Sequence, residues 1–455
     1  MFTWQTYRSI IRAILTRKAP VYIQFYINGR CNLMCRQCNI VETNSRIPEL
    51  SLDQIEIVAR NLQKIGAGII LLTGGEPFLR RDLPQIVEIL VRHRLNVRLQ
   101  TAGSKLATED QLRACYEAGA RDINVSLDSL ELDVSDYINA VPGSGWMAVE
   151  TIERISRVFR DRSNILSFGT VLSRFNYREI PAIVEFARRI GWYVSLVPVH
   201  ISAQGSQKGF RSFDQQFCFP ESYKKSLAEL TEALVKEKRH GAPLFDSEDY
   251  LRSTFPFLLT GKETWRRQGV CDSPSLYFAI RPNGDFTTCC EYVLKRPPNL
   301  TDPDFANWYN RGQVQNQAEV QQIVQHCSGC HYGSYPEITL SVRSPRVLLE
   351  RALLVVKSGR GQLSKAQTSG SFLEELERVK TMFPDVYPTS QWLDADLAQS
   401  IASWKDPQLR PVLLDADLKR RRQEKRERGK GEDQAIGAEP TPNQEHLSGP
   451  SQHKP

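Results

Sequence analysis

No run in this 455-residue chain approaches the roughly 18 apolar residues that a membrane-spanning helix needs. Internal repeats are missing too. The first residues lack a signal-peptide pattern, since Arg8, Arg12, Arg17 and Lys18 interrupt their apolar positions and no small-residue cleavage site follows. A cytoplasmic protein is therefore expected. Basic charge is scarce outside one place: between Lys419 and Lys430, eight basic residues face only Glu424 and Glu427, which accounts for +6 of the net +7. With the excess confined to a terminal run, nucleic-acid binding is not expected. What is present is an ordinary globular composition, 41% hydrophobic and 24% charged, at a length that suggests roughly three domains.

Cysteine is the exception. Ten cysteines are many for a cytoplasmic chain, where structural disulfides are rare. Eight of them fall into two groups with short internal spacings, Cys31, Cys35, Cys38 and Cys271, Cys289, Cys290, Cys327, Cys330. Short spacings of this kind favour metal ligation. Cys115 reads as a core residue of an Ala-rich helix, and Cys218, between Phe217 and Phe219, as a buried thiol.

Along the chain, residues 1–18 can form an amphipathic helix on which Trp4, Tyr7, Ile11 and Ile14 recur with arginines between them. One reading is a helix lying on a membrane surface. Its shortness favours the other, a helix packed on the end of the main domain. Strands are expected at Val21–Ile27, Gly68–Thr73, Val97–Thr101, Ile123–Leu127, Leu166–Leu172 and Tyr193–Val199, with helices between them. Ser51 with Gln54, and Thr108 with Gln111, stand at capping-box spacing. Leu83–His93 and Arg178–Ile190 also read as helices. Six βα units imply an α/β fold, a partial barrel whose parallel sheet is buried on both faces, with functional groups at the C-terminal strand ends.

Beyond a connecting helix at 221–239, the strands Tyr277–Ile280 and Phe286–Thr288 flank a Pro-Asn-Gly turn at 282–284 and predict a cysteine-flanked β-hairpin. Helices are expected at 345–357 and 371–383. The composition after about residue 415 predicts a disordered tail. The expected segments are an N-terminal helix (1–20), a core (21–220), a helical connection (221–270), a small cysteine-rich domain (271–335), a helical extension (336–414) and the basic tail (415–455).

Three thiolates spaced C-x3-C-x2-C after the first strand suit an iron–sulfur cluster with one iron left open. A closed zinc site would want a fourth ligand. This spacing resembles the signature of the radical S-adenosylmethionine (SAM) superfamily. Further along, Thr73-Gly74-Gly75-Glu76-Pro77 at the end of the second strand resembles that family's GGEP motif. The resemblance implies that Gly74, Gly75 and Glu76 hold the amino group of SAM. Ser126 and Asp128 would lie near its ribose and carboxylate, and Cys31, Cys35 and Cys38 would carry a [4Fe–4S] cluster. Thr101-Ala102-Gly103 and Asn176 stand where relatives often have Thr-Asn-Gly and an asparagine. Gln37 stands where many relatives carry an aromatic residue that helps position adenine. The likeness spans roughly residues 20–200.

The second group resembles the twitch domain, a shortened form of the SPASM extension of radical SAM enzymes. That implies an auxiliary [4Fe–4S] cluster on Cys271, Cys289, Cys327 and Cys330. Cys290 is the substitute for Cys289, and a zinc ribbon is the alternative use of the same four thiolates. The implied activity is reductive cleavage of SAM to a 5′-deoxyadenosyl radical, which takes hydrogen from a substrate. An electron donor of flavodoxin or ferredoxin type would feed it. A second cluster suits an oxidative or rearranging modification of a small molecule or peptide. A lipid or isoprenoid substrate would suit the amphipathic helix, whose residues 1–18 could contact a membrane. The remaining alternative is a non-catalytic iron–sulfur or zinc protein.

Overall fold

The structure is a computed structural model, and it describes residues 2–38, 40–103, 105–161, 164–199, 215–260, 271–289, 292, 294–326, 333–359 and 371–410. Cys290, Cys327, Cys330, the run Lys419–Lys430 and the expected tail lie outside the described residues.

Six parallel strands form in sequence order: β1 (Tyr22–Tyr26), β2 (Ile69–Thr73), β3 (Asn96–Thr101), β4 (Asp122–Ser126), β5 (Leu166–Leu172) and β6 (Tyr193–Pro198). Each agrees with its sequence expectation to within a residue or two. The hairpin strands β7 (Tyr277–Ile280) and β8 (Phe286–Thr287) continue the same sheet, in the order β6-β5-β4-β3-β2-β1-β7-β8. β7 runs parallel to β1, with Tyr22 opposite Tyr277 and Phe25 opposite Ile280, and β8 returns antiparallel. The hairpin thereby covers the β1 edge, whose backbone groups would otherwise be unpaired. Gly284 in its turn has a φ of 86°, a conformation that costs glycine nothing.

The helices between the parallel strands pack on one face of the sheet, and the helix Ser334–Arg343 packs on the other through Tyr335. Ile55, Val58 and Leu62 from the helix Leu52–Ile65, and Ile86 and Leu90 from Leu83–Arg92, bury against Ile70, Leu72 and Leu99. Both bonds of the Ser51–Gln54 capping box are made, whereas at Thr108 only the hydroxyl-to-Gln111 backbone bond is. The opposite face is buried too: at β1, β2 and β7 the side chains of Tyr22, Leu71 and Tyr277 pack with Tyr335, while at β3 and β4 it is polar. Along β3 and β4 the half-buried residues are Asn96, Arg98, Gln100 and Asp122, Asn124, Ser126, alternating with buried Val97, Leu99, Ile123 and Val125. Strand periodicity sends one set to the helices and the polar set to an internal cavity.

The N-terminal helix forms at Trp4–Thr16 and packs on the domain, but through an unexpected face. Thr6, Ser9 and Ala13 are the buried residues, while Trp4, Tyr7 and Ile11 point outward. Hydrogen bonds decide the side: Thr6 donates to the Gly68 carbonyl and Gln5 to the Ala67 carbonyl, ahead of β2, and the Thr3 backbone N–H donates to Asn96 Oδ1. Small residues permit that approach where a tryptophan would not. Cys115 is fully buried as expected, and Cys218 is half-buried between two buried phenylalanines.

Candidate functional site

The C-terminal ends of β1 to β5 converge on a cavity of about 320 Å³. Cys31, Cys35 and Cys38 line it, together with Gly74, Gly75, Ser126 and Asp128. The cysteine loop is held by the helix Leu132–Asn139: Met34 N–H donates to the Asn139 carbonyl and Arg36 N–H to the Ile138 carbonyl. The Arg36 guanidinium lies over the rings of Tyr137 and Trp404, 4.2 and 5.0 Å from their centroids, in the corner formed by these perpendicular rings. A cation placed this way is attracted to both rings.

Burial pushes the Cys31 thiol up to about 12, with Glu76 and Cys38 adding to the effect. A thiolate there needs a positive partner to exist, which is what a metal centre provides. Among the described residues no three of His, Cys, Asp and Glu stand close enough to grip one metal ion.

Gly75 brings the β2 loop against the cysteines. A Cβ on it would lie 2.0 Å from the Arg30 carbonyl oxygen and 2.9 Å from Cys31 Cβ. A Cβ on Gly74 would lie 2.5 Å from the Asn28 carbonyl oxygen. Both positions require the smallest residue because backbone meets backbone.

Glu76 is fully buried and is not among the residues lining the cavity. Its carboxylate accepts from the Thr101 hydroxyl, the Ala102 N–H and the Phe78 N–H at 2.9 to 3.1 Å. It thus ties the end of β2 to the end of β3. Burial pushes it up to about 7, against the pull of those hydrogen bonds. Asp128 is likewise raised, to about 6, by burial. Its two oxygens accept from the Val171 N–H and from the Gln37 amide, each at 2.7 Å. Asn176 is fully buried and braces the strand ends, donating to the Asp128 and Val171 carbonyls.

The sequence reading missed the far end of the cavity. Arg98, Asp122, Asp246, Glu337 and Arg351 line it, near the N-terminal ends of β3, β4 and β6. The polar alternation of β3, with Arg98 among its polar positions, was the one legible signal. Glu337 and Arg351 arrive on helices beyond the hairpin, where nothing local marks them. Among the described residues, Gln37 Oε1, Arg98 Nε, Asn124 Oδ1 and Glu337 Oε2 are buried without a hydrogen-bond partner, and all four residues line this cavity.

Of the second cysteine group, the structure describes Cys271 and Cys289. Both are half-buried and pack on one apolar cluster containing Leu276, Tyr277 and Tyr335. Tyr335 stacks on Tyr277 at 4.3 Å, and the Tyr277 hydroxyl lies 3.9 Å from Cys271 Sγ. Chain that follows Cys330 by five residues therefore returns to the Cys271 neighbourhood.

Residues 25–187 match the family model of the Radical SAM superfamily. GTP 3′,8-cyclase of Marinobacter nauticus is 32% identical over 37% of this chain and 50% of its own length. AdoMet-dependent heme synthase of Methanosarcina barkeri is 31% identical over 39% of this chain and 50% of its own. The chain thus spans about half the length of the curated relatives it matches. Among solved structures, SuiB of Streptococcus suis bound to S-adenosylmethionine superposes with a TM-score of 0.52 at 14% identity, over 71% of this chain and 76% of that one.

Proposed function

We propose that this chain, whose residues 25–187 form a radical SAM domain, is an enzyme that removes a hydrogen atom from a polar small molecule or peptide and oxidises or rearranges it. The observation that carries the reading is the meeting of Cys31, Cys35, Cys38, Gly74, Gly75 and Asp128 around one cavity. The donor set fits a [4Fe–4S] cluster: three thiols lie in one loop, and a glycine cradle leaves no room for a side chain between that loop and β2. When bound, the cluster supplies the electron that splits SAM into methionine and a 5′-deoxyadenosyl radical.

The chain's own residues bind and orient. Cys31, Cys35 and Cys38 would hold the cluster, and the backbone at Gly74 and Gly75, which lines the cavity, would meet the SAM amino group. Glu76 positions that backbone through Thr101 and Ala102 and contributes charge to the same end. Ser126 and Asp128 serve the ribose end. The buried wall of β strands and outer helices excludes water from the reacting carbon.

In this reading Cys271, Cys289, Cys327 and Cys330 would hold a second [4Fe–4S] cluster, which would supply an electron acceptor for an oxidative modification. The pairing of Cys271 and Cys289 on one cluster of rings supports it. Buried polar atoms of Gln37, Arg98 and Asn124, which make no hydrogen bond with the described residues and belong to residues lining the cavity, favour a substrate rich in hydrogen-bonding groups over an isoprenoid. GTP 3′,8-cyclase, named for a small polar nucleotide, agrees with that preference. A flavodoxin- or ferredoxin-type protein is the electron donor, and the cytoplasm the compartment.

The test is anaerobic reconstitution beside a Cys31→Ala/Cys35→Ala/Cys38→Ala variant, with iron counted and 5′-deoxyadenosine measured after SAM and a strong reductant. About eight irons in the parent and four in the variant, with nucleoside from the parent alone, are expected. Four irons plus zinc in the parent would reassign the second site. A full core cluster that binds no SAM would remove the enzymatic reading.

A further inference from the structure

The N-terminal helix leaves an apolar stripe in solvent. Trp4 is 73% and Leu15 78% exposed, and Tyr7 and Ile11 lie between them, so four large apolar side chains recur every three to four residues along one side. Such a stripe normally faces a core. Here the buried side is the one with Thr6, Ser9 and Ala13. Arg8 and Arg12 are exposed beside the stripe, Arg17 and Lys18 follow, and residues 2–18 contain no acidic residue.

A second stripe repeats the pattern on the helix Pro345–Gly359. Leu349 is 61% exposed, and Leu353 and Val356 continue the same side at four- and three-residue steps. Both helices lie at the N-terminal end of the parallel sheet. Thr6 and Gln5 anchor the first ahead of β2. Arg351 anchors the second by donating to the Phe245 carbonyl, whose ring packs on Tyr193 at the start of β6. The helix Ser334–Arg343 touches both, and the cavity lining reaches Phe2, Ile338 and Arg351 on these segments.

We propose that this end of the molecule docks on an anionic lipid bilayer, with Trp4, Tyr7, Ile11 and Leu15 entering the headgroup region and Leu349, Leu353 and Val356 extending the contact. The charge pattern selects the occupant. In residues 2–18 aromatic and aliphatic residues interleave with arginines with no anion among them, and on the second helix the lone Glu350 is paired with Lys238, a pattern that matches an interface of acyl chains below and phosphates above. A water-soluble protein partner needs no such exclusion of acidic residues. The active-site end of the sheet then faces away from the lipid, accessible to an electron donor.

The test is flotation of the full-length protein with vesicles of phosphatidylcholine alone and of phosphatidylcholine with phosphatidylglycerol at roughly three to one. Binding to the anionic vesicles and weak binding to the neutral ones are expected. Trp4→Ser/Ile11→Ser/Leu15→Ser should weaken it at least about tenfold, and Arg8→Gln/Arg12→Gln should weaken it on anionic vesicles only. A full-length variant with the basic residues of 419–430 replaced by glutamine should still bind. Circular dichroism and SAM cleavage unchanged in the triple variant separate lost docking from lost folding or lost activity. No binding by the parent, or binding that survives the triple substitution but not loss of the 419–430 charges, would overturn the proposal. So would an apolar stripe that closes a dimer in solution and leaves vesicles untouched.

Discussion

The side-chain amide of Gln37, one residue before the third cysteine of the loop, donates a 2.7 Å hydrogen bond to the Asp128 carboxylate beyond the end of β4. A residue read from the sequence as a missing aromatic contact thus joins the cysteine loop to the strand end expected to meet SAM. Removing it strands a buried carboxylate that otherwise has only the Val171 N–H on its other oxygen. Losing a hydrogen bond to a buried charged group costs about 1.5–3 kcal/mol. Gln37→Leu should therefore weaken SAM binding by about tenfold or more with the iron content intact, as measured by equilibrium binding to the reconstituted protein. Unchanged affinity would detach Asp128 from SAM recognition.

Gly75 permits no side chain. Gly75→Ala places a methyl 2.0 Å from the Arg30 carbonyl oxygen, so the β2 loop and the cysteine loop must separate. Overpacking of this kind costs roughly 1–3 kcal/mol, and here it falls on the metal loop. The expected outcome is a lower melting temperature together with loss of about half the iron. A variant that keeps full iron and activity would show that the contact between the two loops is not needed to hold the metal.

The Arg343 guanidinium grips the Asp272 carboxylate through two hydrogen bonds, of 2.6 and 2.9 Å, and so holds the helix Ser334–Arg343 against the residue after Cys271. A bidentate pair at an Asp272 side chain only 8% exposed is stronger than a surface ion pair. Arg343→Gln should reduce iron toward the four atoms of one cluster while SAM cleavage survives. Equal loss from both sites would mean that the helix supports the barrel as a whole.

Asp246 supplies a pH test. Burial, and then the neighbouring Glu337, raise it from 3.8 to about 7. A carboxyl raised on folding binds its proton more tightly in the native state, so stability is full below 3.8 and falls as pH rises toward 7. The slope for one such group is about 1.4 kcal/mol per pH unit. Asp246→Asn keeps an acceptor for the Leu196 N–H and a group for the Ser195 hydroxyl. Its stability relative to the parent should rise by about 2–3 kcal/mol between pH 5 and pH 7.5, read by urea denaturation. A constant difference across that range would place the titration elsewhere.

The sequence by itself determined the six parallel strands, the hairpin, and the gathering of Cys31, Gly74, Gly75, Ser126 and Asp128 at the strand ends. The strands and the hairpin rest on local chemistry: strand periodicity, a capping serine, a turn glycine, and the rule that successive parallel strands point their ends the same way. The site residues were implied by the resemblance of the cysteine spacing and the Gly74-Gly75-Glu76-Pro77 stretch to radical SAM motifs. Tertiary structure alone decided the rest. It placed β7 beside β1, brought Glu337 and Arg351 from distant helices into the cavity, and joined Gln37 to Asp128. It also turned Trp4, Tyr7 and Ile11 outward, because three small residues on the opposite side let the helix reach backbone carbonyls ahead of β2. Periodicity reports that a helix has two faces. Which face is buried depends on the shape and the hydrogen-bonding groups of the surface it meets, and those come from residues far away in the chain.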